Sequence, residues 1–321
     1  MRQQDELRLL VKVATLYYEE SRTQQEISDS LGLSRPKVSR LLQQARDMGI
    51  VQISILPPSG VHADLEKALE QRYGLKEVVV AEVQEYTSAA SSAREIGTAA
   101  AEFLMRVVKP GDVIGLSWGR TLAAMVSAMR PEPKGGLTVV QVTGGLGPPS
   151  ADTHASGLAT RLANALEATL HLLPAPGVVD SPSTRSALLS DSHIRRALTA
   201  AQKASAIFVG IGTPSRGSIV MQMGDLMTWE ELERLVQLGA VGDVALHYFD
   251  VKGRPILPGL SERAITMAAD ALKSVPRVVG VAGGAGKLEA ILGAVRGRWI
   301  NCLVTDHVTA AKLLEAGGSP S

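Results

Sequence analysis

From Lys76 onward, short runs rich in β-branched residues alternate with segments of helical periodicity. The strand-like runs are KEVVVAEV, DVIGLS, LTVVQVTGG and TLHLL, then, after a looser stretch, ASAIFVGIG, DVALHYFD, RVVGVAGG and WINCLVTD. The helical segments between and after them are 90–108, 120–129, 157–168, 229–238, 261–272, 286–295 and a last one that ends at 315. Continuous apolar strands that alternate with helices are typical of a parallel sheet covered on both faces. The sequence therefore predicts a doubly wound, mostly parallel α/β domain.

The chain is long enough for a second domain ahead of this one, since 321 residues exceed the usual size of one small domain. The segment Leu56-Pro57-Pro58-Ser59-Gly60 cannot continue a strand or a helix and suits a linker. A helix is expected to follow it, over 61–73. We therefore expect one domain at 1–56, a linker at 57–60 and a second domain at 61–321.

The first domain contains a stretch, from Thr23 to Met48, that predicts two short helices joined by a tight turn. Thr23 can cap the first helix in a capping box with Glu26, and Gly32 ends that helix. Ser34 is placed to cap the second helix, where Pro36 is tolerated in the first turn. An earlier helix is expected over 6–18. The apolar residues expected to face inward from the second helix are Val38, Leu41, Leu42, Ala45 and Met48.

The outward face of the second helix is basic and polar, which is the composition of a DNA recognition helix. The residues expected to contact DNA, from both helices, are Thr23, Gln24, Ser34, Arg35, Lys37, Ser39, Arg40, Gln43 and Gln44. After the helix, Val51, Ile53 and Ile55 alternate with polar residues and predict a wing strand, so the unit is expected to be a winged helix-turn-helix. The alternative is an ordinary helical hairpin with a solvated basic face. The net charge of +1 shows that positive charge is concentrated only locally, which suits a site-specific DNA-binding protein.

Glycines accompany five of the expected strands, in Gly115–Thr121, Thr143–Gly147, Gly210–Thr213, Gly242-Asp243 and Gly283–Lys287. Ligands of parallel sheets bind where strands end and backbone N–H groups can approach a negative group. Several such ends in one sheet indicate a ligand with a phosphate or with many hydroxyl groups.

Two motifs within these segments suggest other chemistry. Gly115-Leu-Ser117-Trp-Gly119 matches a hydrolase nucleophile elbow, but it follows only one strand of its domain and the glycine-rich loop comes after it. Gly283–Lys287 resembles part of a nucleotide P-loop, but Val281 and Leu288 stand where a glycine and a Mg²⁺-binding hydroxyl are needed. We therefore expect neither nucleophilic catalysis by Ser117 nor ATP binding.

Other residue types restrict the chemistry further. The single cysteine, Cys302, lies in an apolar run and excludes an intrachain disulfide or a cysteine metal cluster. The six histidines lack the spacing of a metal-binding pair on a helix, so no metal site and no cofactor are expected. No stretch has the length of a spanning helix and the N-terminus is charged from Arg2 onward. We therefore expect a cytoplasmic protein with no membrane partner.

These motifs together resemble the SorC/DeoR-type family of bacterial sugar-responsive transcriptional regulators, over nearly the whole chain. The segments that carry the resemblance are Tyr17-Tyr18 with the following TQQEISDSLGLSRPKVSRLLQQARDMGIV, then GLSWGRTL, VVQVTGG, LLPAPGVV, FVGIGTP, GAVGDVALHYFD and VAGGAGKLEAILGAVRGRWINCLVTD. The resemblance implies a C-terminal domain similar to the sugar-phosphate isomerase and deaminase fold, which senses a phosphorylated sugar. It also implies a homo-oligomer, typically a tetramer, that changes its affinity for operator DNA when the effector binds.

The resemblance also implies which residues contact the effector. They are Ser117, Thr121, Gly144, Gly145, Gly210, Gly212, Asp243 and Lys287, with Gln141 and His154 as additional candidates. His247 stands where many relatives have an arginine that can bind a phosphate, and histidine is a weaker, pH-dependent phosphate partner. A different or singly phosphorylated sugar is therefore compatible with the sequence.

The sequence leaves two other functions open. One is a sugar-phosphate isomerase or deaminase with an added DNA-binding domain, because a lysine and a carboxylate such as Lys287 and Asp243 can transfer protons on a sugar. The other is a regulator that senses a nucleotide. The expected function remains a regulator without enzymatic activity, because no wider set of catalytic residues is evident.

Overall fold

The computed structural model describes residues 2–53, 60–84, 89–130, 132–146, 154–222, 226–257 and 259–316. The chain divides into two compact units, Met1–Pro58 and Ser59–Ser321, which we call the helical unit and the α/β unit. The linker expected at 57–60 lies outside the described residues except for Gly60. The predicted limits of the linker therefore stay a prediction.

The helical unit contains the predicted helix-turn-helix. Its helices are α1 (Arg2–Tyr18), α2 (Gln24–Leu31) and α3 (Arg35–Asp47). Thr23 and Glu26 form the predicted capping box, and Gly32 ends α2 in the left-handed conformation with φ of 61°. The three helices share a core of Leu10, Val13, Ala14, Leu16, Ile27, Val38, Leu41, Leu42 and Ala45. The apolar face of α3 therefore packs into this core as expected, and its polar face lies outside.

Three details of the helical unit differ from expectation. Ser34 precedes α3, but its side chain makes no capping hydrogen bond. Met48 is half exposed instead of facing the core. Residues 50–53 form no strand, and Ile55 lies outside the described residues, so the predicted wing strand is not seen where the structure describes the chain. Instead, the N–H of Val51 donates to the carbonyl of Ala45, which folds this segment back onto the end of α3.

The α/β unit is built on the predicted parallel sheet. Within the described residues, seven parallel strands follow the order β1-β9-β8-β5-β2-β3-β4, and two further strands, β6 and β7, extend from β5. The strands are β1 (Glu77–Ala81), β2 (Val113–Leu116), β3 (Thr138–Gln141), β4 (Thr169–His171), β5 (Ala206–Gly212), β6 (Ala240–Val244), β7 (His247–Asp250), β8 (Arg277–Val281) and β9 (Cys302–Asp306).

Helices cover both faces of this sheet. They are α4 (Ala63–Tyr73), α5 (Ala89–Val107), α6 (Arg120–Ala128), α7 (Ala155–Leu166), α8 (Pro182–Ser190), α9 (Ser192–Ala201), α10 (Ile219–Gln222), α11 (Trp229–Gln237), α12 (Ala269–Lys273), α13 (Leu288–Arg296) and α14 (His307–Ala316). Successive residues of β5 enter different cores: Ile207 belongs to one large apolar cluster and Phe208 to the other. The doubly wound class predicted from continuous apolar strands is therefore confirmed.

The run DVALHYFD, expected to be one strand, is instead part of an antiparallel hairpin. Strands β6 and β7 pair with each other across Ala245 and Leu246, whose φ angles are 50° and 67°. Two central residues with positive φ make the tight turn that suits hairpin twist, but they are usually Asn or Gly. The sequence therefore carried no local signal for this turn.

The helix expected over 261–272 is also wrong. A short 3-10 turn at Leu260–Glu262 is followed by extended chain, and only Ala269–Lys273 is helical. The extended part is held by backbone bonds, since Ile265 accepts from the N–H of Gly144 and Met267 donates to the carbonyl of Val142. Conversely, the looser stretch before β5 contains helices α8 and α9.

Candidate functional site

The first candidate site is the exposed face of α3. The predicted DNA-contacting residues, which lie at the start of α2 and along α3 and its N-cap, are all exposed except Gln24, which is half-buried. The hydroxyl of Thr23 is engaged with Glu26 in the capping box, so it serves the helix first. The amide of Gln43 donates to Asp47 at 2.8 Å and accepts from Arg46 at 2.8 Å, which orders this end of the face. The basic face is thus free of the unit's own core, as recognition of a duplex requires.

The second candidate site is an open cavity of about 730 Å³ in the α/β unit. It lies at the carboxyl ends of β1, β9, β8, β5 and β2, and the β6–β7 hairpin supplies part of its wall. Ligands of open parallel sheets bind at this edge, and the volume suits a small metabolite. Of the predicted effector contacts, it brings together Ser117, Thr121, Gly210, Gly212, Asp243 and Lys287.

One wall of the cavity is the turn from β2 into α6. Ser117 is buried there, and Gly119, with φ of 131°, precedes the first residue of the helix, Arg120. Glycine has no side chain with which to cap the helix, and the first turn of an α-helix has N–H groups without intrahelical partners. Arg120 and Thr121 line the cavity at this end. The turn therefore combines a helix N-terminus, a guanidinium and hydroxyl groups, a set that suits a phosphate.

Asp243 and Lys287 form the buried ionisable part of the wall. Asp243 is 5% exposed, and its Oδ2 accepts from the N–H of Leu246 at 3.1 Å. Burial raises the pKa of Asp243 to about 6, although the Leu246 hydrogen bond and Lys287 act in the opposite direction. Burial lowers the pKa of Lys287, against the effect of Asp243, and its Nζ donates to the carbonyl of Ile211 at 2.6 Å. The wall can thus offer a carboxylate to hydroxyl groups and an ammonium to an anion.

Gly212 is required by the position of Asp243. The two residues are opposite each other in the antiparallel pairing of β5 and β6. A Cβ on Gly212 would overlap the carboxylate of Asp243. The glycine at the end of β5 is therefore needed for close packing around the carboxylate, beyond its role as a strand end.

A second buried carboxylate holds the glycine loop after β8. Asp306, at the end of β9, accepts from the N–H of Gly284 at 2.9 Å and from the N–H and hydroxyl of Thr309, both at 2.7 Å. A Cβ on Gly283 would overlap this carboxylate. The loop that leads to Lys287 is therefore fixed to β9 by several hydrogen bonds.

Five of the eleven predicted effector contacts lie outside this cavity, and four of them are Gly144, Gly145, Gln141 and His154. The N–H groups of Gly144 and Gly145 donate to Ile265 and Ala175, so this loop packs against neighbouring backbone. Gln141 is buried and bonds to Thr143 and Ser156. His154, the residue before α7, is also buried, and burial lowers its pKa. Gly144, Gly145 and Gln141 thus have partners within the protein, and effector contact by any of the four residues stays a prediction.

His247 is also outside the cavity. Its Nε2 lies 2.9 Å from the carbonyl oxygen of Met267, to which it donates, and its ring stacks on Trp299 at 5.5 Å. Burial lowers the pKa of His247, which favours the neutral ring. His247 thus has structural partners within the protein, and its contact with a phosphate stays a prediction.

The polar and charged residues that line the cavity include four that were not among the predicted effector contacts. They are Arg120, Asp306, Thr309 and Lys312. Asp306 is the last residue of β9 and Arg120 begins α6 after the turn that follows β2, so both share the strand-end signal that identified the other positions. Thr309 and Lys312 lie within α14, where nothing in the local sequence marks a binding residue.

Two models of known protein families match the chain. The family model described as "Putative sugar-binding domain" matches residues 59–315, and the model of sigma-70 region 4 matches residues 12–47. The chain belongs to the SorC/DeoR-type family of sugar-binding transcriptional regulators. The first match covers the α/β unit with its cavity, and the second covers most of the helix-turn-helix.

Individual relatives agree with membership of this SorC/DeoR-type family. The chain is 33% identical to the sorbitol operon regulator of Klebsiella pneumoniae over 328 residues, covering 98% of this chain and 100% of that protein. It is 32% identical to the deoxyribonucleoside regulator of Bacillus subtilis, covering 95% and 97%. The crystal structure of full-length SorC from Klebsiella pneumoniae superposes with a TM-score of 0.72 over 97% of this chain and 99% of that one.

The function that follows at this level is DNA-binding transcriptional regulation under the control of a sugar-related effector, as the family resemblance implied. Within the described part of the chain, no helix has the length and hydrophobicity to cross a membrane.

Proposed function

We propose that the exposed face of α3 binds operator DNA and that a phosphorylated sugar, bound in the cavity of the α/β unit, changes the affinity for that DNA. The protein acts as a homo-oligomer, a dimer or a tetramer, in the cytoplasm, and it does not transform the sugar. The observation that carries the proposal is the cavity itself, which joins an uncapped helix N-terminus to a buried carboxylate.

The phosphate is assigned to the turn from β2 into α6. There the N-terminus of α6, Arg120 and Thr121 face the cavity, and helix N-termini stabilise anions through free N–H groups and the helix dipole. The sugar hydroxyls are assigned to Asp243, whose carboxylate keeps acceptor positions beyond its bond from Leu246. Lys287 then contacts a hydroxyl or the phosphate.

Effector binding changes operator affinity only by the difference between its affinities for the two states of the protein. Couplings of this kind amount to about 1–3 kcal/mol, or roughly 5- to 150-fold in operator affinity. The direction of the change is decided by which subunit arrangement the occupied cavity favours.

The test is a thermal-shift screen of the full chain with pentose and hexose phosphates, the parent sugars and inorganic phosphate. A sugar phosphate is expected to raise the melting temperature more than the parent sugar or inorganic phosphate alone. Operator duplexes selected from a random DNA library are then titrated with and without that compound. The proposal fails if no sugar phosphate stabilises the protein, or if the stabilising one leaves operator affinity unchanged.

Asp243→Ala is expected to abolish the effector response and to leave operator binding without effector intact. Asp180→Ala is the matched control, because Asp180 is an exposed acid of the same unit. A normal effector response in Asp243→Ala would mean that the effector binds elsewhere.

The rival function is a sugar-phosphate isomerase or deaminase. The observation that favours it is the pair of Asp243, with its raised pKa, and Lys287 in one cavity wall, since such groups suit proton transfer. Product formation in the incubations used for the screen would support the enzyme and contradict the regulator proposed here. Stabilisation by nucleotides instead of sugar phosphates would indicate a nucleotide effector.

A further inference from the structure

His62, Glu82 and His307 come together at the edge of the sheet, although they are far apart in sequence. His62 is the residue before α4, Glu82 follows β1 and His307 is the first residue of α14. Strands β1 and β9 are parallel neighbours in which Ala81 is paired with Asp306. The residues that come next, Glu82 and His307, therefore leave the sheet side by side. No spacing rule for histidines on one helix detects such a cluster.

The three side chains present their ligand atoms to one another. One nitrogen or oxygen atom from each lies within 4.8 Å of the others. The Nε2 of His62 lies 2.5 Å from Oε2 of Glu82, and the Nδ1 of His307 lies 3.9 Å from Oε1 of the same carboxylate. The two imidazole rings are stacked, with centroids 5.0 Å apart and planes 7° from parallel. Glu82 thus contacts a different imidazole with each oxygen.

The Nδ1 of His307, which lies 3.9 Å from Oε1 of Glu82, also accepts a long hydrogen bond. The backbone N–H of Val83 donates to it at 3.3 Å, which directs its lone pair to Val83. A metal ion bound at Nδ1 would take the place of this hydrogen bond. The side chains of His62 and His307 are 22% and 20% exposed and that of Glu82 is 56% exposed. The cluster is therefore largely fixed by packing and still open to solvent.

We propose that His62, Glu82 and His307 form a binding site for a divalent transition-metal ion of the Zn²⁺ type, with water in the remaining coordination position. Two imidazoles and one carboxylate are a common zinc ligand set, with metal–ligand distances of about 2.0–2.2 Å. Ligand atoms that share a tetrahedral ion at those distances are roughly 3.4 Å apart. The observed separations of 2.5 and 3.9 Å lie on either side of this value, so small side-chain rotations assemble the site. Two nitrogen ligands of three disfavour Mg²⁺ and Ca²⁺.

The ion would tie three separate segments together beside the effector cavity. Val83 and Val308 line the cavity directly after Glu82 and His307. His62 lies at the start of the α/β unit, just before α4. A bound ion would therefore restrain the cavity rim and the first helix of the unit through the same three side chains. The metal site itself does not depend on the identity of the effector.

The test uses the full chain, without an affinity tag that contains histidine, after treatment with a chelator and its removal by dialysis. Zn²⁺ is titrated by calorimetry, and Co²⁺ is titrated by its visible absorption, which reports the coordination geometry. We expect one tight ion per chain. The variants His62→Ala and His307→Ala are each expected to bind at least about tenfold more weakly, since even loss of an outer-shell partner commonly costs 10- to 100-fold.

His193→Ala is the matched control, because His193 is exposed on α9, and it is expected to bind like the wild-type protein. Glu82→Gln keeps the size of the side chain but removes its charge, so it replaces the histidine variants if one of them fails to fold. It is also expected to bind the metal ion more weakly than the wild-type protein. Melting in the presence of chelator verifies the fold of each variant. Absence of tight binding by the wild-type protein, or equal affinity in the cluster variants and the control, would overturn the proposal.

Discussion

Asp243→Asn is expected to change how the stability of the α/β unit depends on pH. Asp243 is 5% exposed, and burial raises its pKa from 3.8 to about 6. A carboxyl with a raised pKa holds its proton more tightly in the folded state than in the unfolded state. Its contribution to the free energy of unfolding is therefore largest in acid and falls as the pH rises through the folded pKa.

The size of the effect follows from the two pKa values. One pKa unit corresponds to about 1.4 kcal/mol, so ionising the buried Asp243 costs the folded state roughly 3 kcal/mol at neutral pH. Somewhat less than half of this, about 1.4 kcal/mol, arises between about pH 5 and about pH 7.5. Asn cannot ionise. From about pH 5 to about pH 7.5, the free energy of unfolding of the wild-type protein should therefore fall by about 1.4 kcal/mol relative to that of Asp243→Asn.

The assay is urea unfolding of the full chain, followed by tryptophan fluorescence at both pH values. All three tryptophans, Trp118, Trp229 and Trp299, belong to the α/β unit, so the signal reports on the relevant unit. Asp191→Asn is the control, because the backbone N–H groups of His193 and Ile194 lower the pKa of Asp191 below its ordinary value of 3.8. Its contribution to the free energy of unfolding is lost only below that pH, so wild type and Asp191→Asn should show the same pH dependence between about pH 5 and about pH 7.5. Parallel pH dependence in wild type and Asp243→Asn would refute the reasoning.

Three further changes test the two sites and the capping of α2. Arg40→Ala, on the exposed face of α3, should weaken operator binding by about 1–3 kcal/mol in a fluorescence anisotropy titration. The control Arg196→Ala, at an exposed position of the α/β unit, should leave operator affinity unchanged. Equal affinities of the two variants would contradict the assignment of α3 to DNA binding. Gly212→Ala should destabilise the α/β unit by about 1–3 kcal/mol and abolish the thermal shift with effector, because the added Cβ overlaps the buried carboxylate of Asp243. The control Gly157→Ala, where a Cβ meets nothing within 4 Å, should keep both the stability and the thermal shift. Thr23→Ala removes the capping box of α2 and should cost the helical unit about 1 kcal/mol, measured by hydrogen exchange of α2, and unchanged exchange would show that the cap contributes nothing.

The sequence predicted those parts of the molecule whose signals are local. The capping box at Thr23 and the left-handed Gly32 are short-range features, and the apolar spacing of α3 follows from helix geometry. The parallel sheet was predictable because continuous apolar strands need cover on both faces. Since such strands end at one edge, the glycine-flanked strand ends that contain Ser117, Gly212 and Lys287 lie around one cavity.

The remaining features depend on contacts that are distant in sequence. Ala245 and Leu246 turn with positive φ because the surrounding hairpin pairs around them, and neither residue type signals such a turn. The segment after Leu260 is extended because it pairs with backbone near Gly144, although its spacing is helical. Because Gly144 takes part in that pairing, it lies outside the cavity. The sequence could not reveal this, since a glycine needed for close backbone approach looks the same as one that approaches a ligand.

The pairing of β1 with β9 has a consequence for synthesis of the protein on the ribosome. The first strand of the sheet finds its neighbour only when the last strand has been made, so the nascent helix-turn-helix is complete long before the sheet can close. Contacts this distant in sequence also slow folding. A premature stop before Cys302 would leave β1 without its neighbour in the sheet. The truncated protein would then keep its helix-turn-helix but lack a complete effector-binding domain to control it.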